Sequence, residues 1–355
     1  MHPELNKTVD MTWLSASRFV LRFFSDRLPR HSGWIPMLKL LLGILILSAA
    51  SCASNHENRP DDVPRPAAAP VIEAQDWSQT TGGSALDEWI AANLRPRASR
   101  WTRLDPSLLN LHSASALIVD EHGNRLYTKN VQQIKPIASI TKLMTAMVVL
   151  DAGVPMKTPI KIVEDDRDRL RNSRSRLRIN EATLSRGEMI AVSVMSSDNR
   201  AAHALARTTF RGGTPAFIAA MNRKAKSLGM SNTHFADSSG LNGNNRSNAE
   251  DLVKLVRAAD TYPFIRAITA KGEMTVRPFA DGSPLHYRNS NSLVRDPTWQ
   301  IDVSKTGFIR ESGYCLVMQA RIDNRRVIMI FLDSPVLWAR VSDSTQVRDW
   351  LLGKN

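Results

Sequence analysis

Residues 300–332 read QIDVSKTGFIRESGYCLVMQARIDNRRVIMIFL. Gln300 to Gly307 alternates apolar and polar residues. Tyr314–Ile322 and Arg326–Leu332 are hydrophobic, with Asp323-Asn324 between them as a turn. The stretch predicts three strands, and Val341–Leu352 then predicts a closing helix. Far upstream, Ser115–Asp120 and Arg125–Thr128 flank Glu121-His122-Gly123-Asn124, a hairpin with Gly123 and Asn124 at its turn. Two strands at one end and three at the other imply a single antiparallel sheet built from both chain ends. Helices would cover its faces, and an all-helical lobe would be inserted between the two halves. The fold class is α/β of the α+β kind.

The middle of the chain supplies those helices. Leu143, Met144, Met147, Val148 and Leu150 recur at helical spacing up to Gly153. Residues 155–183, rich in Arg and Asp, read as a surface excursion. Arg186–Met195, Ala201–Thr208 and Thr214–Leu228 read as helices, the last ended by Gly229. Ser247-Asn248-Ala249-Glu250 reads as a capping box before Leu252, Leu255 and Val256.

Three strings on this frame carry chemistry, and each occurs once: Ser139-Ile140-Thr141-Lys142, Ser197-Asp198-Asn199 and Lys305-Thr306-Gly307. Ser139 opens a helix and Lys142 lies one turn on, so the amine shares a face with the hydroxyl. A serine hydroxyl is a weak nucleophile until a base takes its proton. Lys142 can be that base if burial and a second cation, Lys305, lower its pKa. Ser197 would relay a proton to the leaving amine, and Asn199 would hold Lys142 or the substrate backbone. Lys305 and Thr306, in the motif closed by Gly307, would grip a substrate carboxylate. The backbone N–H groups of Ser139 and Phe308 would form the oxyanion hole. Any one string alone reads as chance, a helix cap or a strand end. The ordered set of three is far more specific.

The whole chain has 355 residues and a formal charge of +13, with the basic excess on the part after residue 100. A basic surface suits an anionic partner such as wall polymer. Two cysteines exclude a disulfide framework, and no string suggests zinc, a phosphate loop or a dinucleotide site. No cofactor, metal or nucleic-acid partner is expected.

Residues 1–53 read as a targeting segment. A basic residue, the apolar run Met37–Leu47 and small residues up to Cys52 form a signal-peptide pattern. Residues 1–36 fit either a long leader carrying Arg18, Arg22, Arg27 and Arg30 or sequence upstream of a true start at Met37. The small residues before Cys52 resemble a lipoprotein cleavage site, with Ala49 where that pattern favours leucine. Lipidated Cys52, cleavage nearby and a retained anchor would all export the rest, to the periplasm. Residues 54–104, with Pro60, Pro64, Pro66 and Pro70, read as a tether that holds a short helix near Ser84. Residues 105–355 form the catalytic domain.

Around the three strings the chain resembles the low-molecular-mass penicillin-binding proteins of the D-alanyl-D-alanine carboxypeptidase/endopeptidase family. The resemblance rests on Lys135–Lys142, Arg186–Ala202, Phe235–Leu241 and Lys305–Cys315. It implies a serine β-lactamase/transpeptidase fold, an acyl-enzyme on Ser139, peptidoglycan peptides as substrate and covalent inhibition by β-lactams. Carboxypeptidases of the family usually carry Ser-Gly-Asn and a C-terminal β domain. Here Ser-Asp-Asn is followed by Arg-Ala-Ala, and the sequence stops after the last helix. Both features are more similar to the endopeptidase-type members, which cut D-alanyl–diaminopimelyl cross-links. A class A β-lactamase would need a glutamate in a Glu-x-x-Leu-Asn setting, and none follows Asn199. A non-catalytic wall sensor is the rival from another class. Cys315 reads as a buried core filler.

Overall fold

The computed structural model describes residues 99–354. The expected leader, Cys52 and the expected helix near Ser84 lie outside them. Five antiparallel strands form the sheet in the order β2-β1-β11-β10-β9. They are β1 (Ser115–Asp120), β2 (Arg125–Lys129), β9 (Gln300–Ile309), β10 (Gly313–Ile322) and β11 (Arg325–Ser334). Both chain ends therefore meet in one sheet, as the sequence implies. The β10–β11 turn forms where expected, with Asp323 and Asn324 at φ of 50° and 59°, the left-handed pair that a tight hairpin turn needs.

The three central strands β1, β11 and β10 read as near-continuous apolar runs because both their faces are covered. Successive side chains point to opposite faces. Leu117, Val119, Cys315, Val317, Ile328 and Ile330 face the helical lobe. Ala116, Ile118, Leu316, Met318, Met329 and Phe331 face a second core under the terminal helix. That helix, α7 (Ala339–Leu351), follows six others: α1 (Thr141–Asp151), α2 (Arg186–Met195), α3 (Asn199–Thr209), α4 (Gly213–Ser227), α5 (Ala249–Asp260) and α6 (Pro263–Thr269). Asp343 of α7 is fully buried and accepts from the backbone N–H groups of His112 (2.8 Å) and Ser113 (2.9 Å), which pins α7 to the entry of β1.

Residues 99–104 are anchored by the buried Ser99 and Trp101, although the sequence assigns them to the tether. Trp101 is 2% exposed in the second core, and its indole donates to the Leu351 carbonyl at 3.0 Å. The 155–183 segment is also more than a surface excursion. It holds the short strands β4 (Pro159–Lys161) and β5 (Thr183–Ser185), and Ile160, Ile162 and Leu177 enter the first core. The charges mask those residues in the sequence. Asp166 is buried and meets Arg207 twice, at 2.9 Å each.

The cap of α5 is Asn248 and not Ser247. The Asn248 side chain accepts from Asp251 N at 2.9 Å. Ser247 is held extended in β6 (Arg246–Ser247), opposite Lys135 of β3 (Lys135–Pro136), and its hydroxyl meets Thr233 at 2.7 Å. The hairpin of β7 (Glu273–Val276) and β8 (Leu285–Arg288) had no counterpart in the sequence reading.

Candidate active site

The three motifs converge where α1 runs between the lobe and the sheet. Thr141 to Val149 of α1 are all buried, so the helix is enclosed on every side. A 3-10 turn, Ala138–Ile140, leads into it and carries Ser139. Ala138 holds a φ of 46°, which an L residue seldom adopts. Two glycines allow this approach. A Cβ on Gly240 would stand 1.9 Å from the Ala138 carbonyl oxygen, and Gly240 has φ +84°. A Cβ on Gly307 would stand 2.8 Å from the Ile137 carbonyl oxygen and 3.2 Å from Ser139 N. The third motif ends in glycine so that β9 can lie against the turn that carries Ser139. The next residue, Phe308, follows directly on that approach. Phe308 is 53% exposed, and its ring stacks on Tyr314 at 4.3 Å.

Lys142 is fully buried, and its Nζ has three neighbours: Ser139 Oγ at 2.8 Å, Asn199 Oδ1 at 2.7 Å and the Ser239 carbonyl at 2.5 Å. Burial pushes its pKa down to about 7, against the pull of Asp237, Asp198 and Asp168. The chemistry follows from counting donors and acceptors. A neutral amine has two N–H groups and one lone pair. Asn199 Oδ1 and the Ser239 carbonyl can only accept, so they take both N–H groups. The lone pair is left for the Ser139 hydroxyl.

Lys305 is also buried and donates to its neighbour's carbonyl, Thr306 O, at 2.9 Å. Burial, then the charge of Lys142 and then Arg340 hold it well below its ordinary range. The sequence expectation gave Lys305 a share in lowering Lys142. Burial is what lowers Lys142, and the cationic repulsion is seen on Lys305. Thr306 Oγ1 donates to Ser290 Oγ at 2.7 Å.

The second motif joins two helices. Ser197 sits at φ 67°, a conformation that favours glycine. Strain of this kind costs about 1–3 kcal/mol and gathers at functional sites. Asp198 caps α3, accepting from Ala201 N at 3.0 Å. Its other oxygen accepts from Ser175 Oγ at 2.7 Å. Burial pushes the Asp198 pKa up, while the Ala201 N–H and Ser175 bonds oppose the shift. Asn199 Nδ2 donates to Ser173 Oγ at 2.9 Å, which turns its oxygen toward Lys142.

Several residues of the site escaped the sequence reading. Asp237 organises the loop that presents the Ser239 carbonyl, accepting from Ser239 N (2.8 Å), Gly240 N (2.5 Å) and Asn242 N (2.7 Å). His203 Nε2 lies 3.1 Å from Ser239 Oγ. Asp168 gathers the N–H groups of Leu170, Arg171 and Ser173 and so fixes the loop behind Asn199. The signal for Asp237 to Gly240 was present, as part of a segment that resembles the family, but no role could be attached to it. Cys315 is buried as expected, and burial lifts its thiol to about 11. Among the described residues, no three His, Cys, Asp or Glu are grouped to hold a metal ion.

Comparison with known proteins gives the family and the fold. A family model described as D-alanyl-D-alanine carboxypeptidase matches residues 102–336. A D-alanyl-D-alanine endopeptidase of Pseudomonas aeruginosa is 40% identical over 247 residues, 69% of this chain and 79% of that one. The one from Escherichia coli is 41% identical over 240 residues, 67% of this chain and 77% of that one. The Streptomyces K15 DD-transpeptidase structure superposes with a TM-score of 0.64 at 27% identity, covering 69% of this chain and 98% of that one. Penicillin-binding protein D2 of Listeria monocytogenes, in its cefotaxime-bound form, superposes at 0.58 with 29% identity, over 69% of this chain and 98% of that one. The chain belongs to the D-alanyl-D-alanine carboxypeptidase family of serine peptidases.

Proposed function

We propose that the chain is a D-alanyl-D-alanine endopeptidase that opens peptidoglycan cross-links through an acyl-enzyme on Ser139. The observation that carries this reading is the Lys142 amine, buried and 2.8 Å from the Ser139 hydroxyl. In the first step Lys142 takes the hydroxyl proton, and Ser139 Oγ bonds to the D-alanyl carbonyl carbon. Charge gathers on the carbonyl oxygen, facing the N–H groups of Ser139 and Phe308. The C–N bond then breaks, and the proton passes from Lys142 through Ser197 to the leaving amine. Water next attacks the ester, Lys142 takes its proton, and Ser139 Oγ leaves with that proton. Asn199 and the Ser239 carbonyl hold the amine in place throughout.

The bond cut in a cross-link joins D-alanine to the D-centre of a diaminopimelyl residue. That centre carries a carboxylate beside the amine, as a terminal D-alanine does. Lys305 and Thr306 would take this carboxylate in either substrate, so the motifs alone serve both reactions. Endopeptidase relatives in two organisms, at 40% and 41% identity, favour cross-links as the target. β-Lactams, which carry a carboxylate beside a strained amide, would acylate the same serine. The run Met37–Leu47 and the small residues before Cys52 support export to the periplasm. Membrane contact would come only through that leader or a lipid on Cys52.

Digestion of purified peptidoglycan, read by mass spectrometry, tests the reading. Conversion of cross-linked dimers to monomers is expected. Loss of terminal D-alanine from monomers, with dimers intact, would make the chain a carboxypeptidase instead.

A further inference from the structure

Helix α3 presents three polar side chains at four-residue spacing, Asn199, His203 and Arg207, which sets them in one row along the helix. Asn199 accepts from Lys142 at 2.7 Å. Arg207 holds the buried Asp166 carboxylate through two bonds of 2.9 Å. His203 stands between them and is fixed at both ring nitrogens. Its Nδ1 lies 3.1 Å from the Asp166 carbonyl, and its Nε2 lies 3.1 Å from Ser239 Oγ. A carbonyl can only accept, so Nδ1 carries the hydrogen, and in the neutral ring Nε2 accepts from the Ser239 hydroxyl. The rival acceptor for that hydroxyl, Asp237 Oδ1, is farther away at 3.3 Å. It already takes the N–H groups of Ser239 and Gly240 and the Asn245 amide.

Ser239 is fully buried, and its carbonyl faces both Lys142 Nζ, at 2.5 Å, and Ser139 Oγ, at 3.4 Å. Three contacts set the direction of that carbonyl. Asp237 holds the Ser239 N–H, His203 holds the hydroxyl, and Gly240 lies against Ala138. One row on α3 therefore places both acceptors that occupy the Lys142 amine, Asn199 directly and the Ser239 carbonyl through His203.

We propose that His203 is a positioning residue for acylation of Ser139. By holding Ser239, it keeps the second acceptor on Lys142 and so keeps the amine lone pair aimed at the Ser139 hydroxyl. The inference rests on the acyl-enzyme reading above and adds to it a residue outside the three motifs. With the Ser239 carbonyl loose, an N–H of the amine can turn to Ser139 Oγ, and a hydrogen then stands where a lone pair is needed. The step that slows is proton transfer. Capture of the ligand carboxylate, expected at Lys305 and Thr306, is untouched.

Stopped-flow acylation by benzylpenicillin, which separates the binding constant from the acylation rate constant, tests this. His203→Phe keeps a ring of similar size without either hydrogen bond. It should lower the rate constant about tenfold, as loss of one buried hydrogen bond implies, and leave binding unchanged. His203→Gln, whose amide oxygen can accept from Ser239, should recover part of the loss. Ser239→Ala removes the hydroxyl but keeps the carbonyl, and should show the same loss as His203→Phe. The double variant should be no slower than either single one, because each removes the same contact. If His203→Phe fails to fold, Ser239→Ala and His203→Gln still read that contact from its two sides. Full-rate acylation in Ser239→Ala, losses that multiply in the double variant, or weaker binding at an unchanged rate constant would overturn the proposal. A wild-type chain that benzylpenicillin does not acylate would instead overturn the acyl-enzyme reading, and the proposal with it.

Discussion

Lys142 Nζ stands 2.8 Å from Ser139 Oγ, and its two other neighbours, Asn199 Oδ1 and the Ser239 carbonyl, can only accept hydrogen bonds. A neutral amine fits this socket with its lone pair on the serine. An ammonium fits it with all three N–H groups bonded and no base to offer. Under the proposed mechanism the first is the active protonation state and the second the inactive one, and pH would select between them.

Acylation by benzylpenicillin should accordingly rise with pH, reach half its maximum near the Lys142 pKa of about 7, and level off above it. Two variants should move that midpoint in opposite directions. Asp198→Asn keeps an acceptor for the α3 cap but removes a negative charge that raises the Lys142 pKa, so the midpoint should fall. Asn199→Asp places a carboxylate where Oδ1 lies 2.7 Å from the amine, so the midpoint should rise. Stopped-flow acylation across a pH series reads both. Movement in the same direction would break the account of what sets the pKa.

Stability carries the same signature. The folded pKa of Lys142 is about 7 and its ordinary value is 10.5. Between those limits the unfolded chain holds a proton that the native chain has released, so native stability gains from rising pH across that window. Below it, the full penalty of a buried charge remains. Lys142→Met should shrink this rise, with the depressed Lys305 supplying a further part of the same sign, and urea unfolding of both chains on either side of the window measures the difference.

Gly240→Ala should disable the site without touching a reacting atom. The new methyl group would stand 1.9 Å from the Ala138 carbonyl, on a backbone at φ +84°. The turn that carries Ser139 must shift, at a cost of about 3 kcal/mol or more. Thermal unfolding should show the loss, together with slower acylation. Normal acylation in this variant would mean that the Gly240 contact does not hold the nucleophile turn.

Much of this was legible in the sequence for identifiable reasons. The strands β10 and β11 stand out because both their faces are buried, so their apolar runs are long, while β9 stands out by its alternation. Ser139, Lys142 and Lys305 stand out because their motifs are rare and ordered, although Ser139 lies on the 3-10 turn that leads into α1 and not on the helix itself. Asp168, Asp237 and Ser239 were not legible as site residues. They act through backbone N–H and C=O groups brought together by loops, and no local periodicity marks such contacts. The 155–183 segment misled for a related reason. Ile160, Ile162 and Leu177 are scattered among charges, and the buried Asp166 is met by Arg207 from another element.

The start of the folded domain gives a further prediction. Trp101 lies in the second core and donates to Leu351, so the fold begins before residue 105. Trp101→Ala should cost about 3–5 kcal/mol by leaving a large cavity. A chain shortened to begin at 105 should unfold at a lower temperature than one beginning at 99. Equal melting temperatures would show that the Trp101 contacts are dispensable.

The most direct test of the central claim is to trap the acyl-enzyme. The protein is mixed with benzylpenicillin, and mass spectrometry of the intact chain and its peptides locates the adduct. One penicilloyl group on Ser139 is the expected result, absent in Ser139→Ala and strongly slowed in Lys142→Met. An adduct on any other residue, or one that persists in Ser139→Ala, would contradict the account.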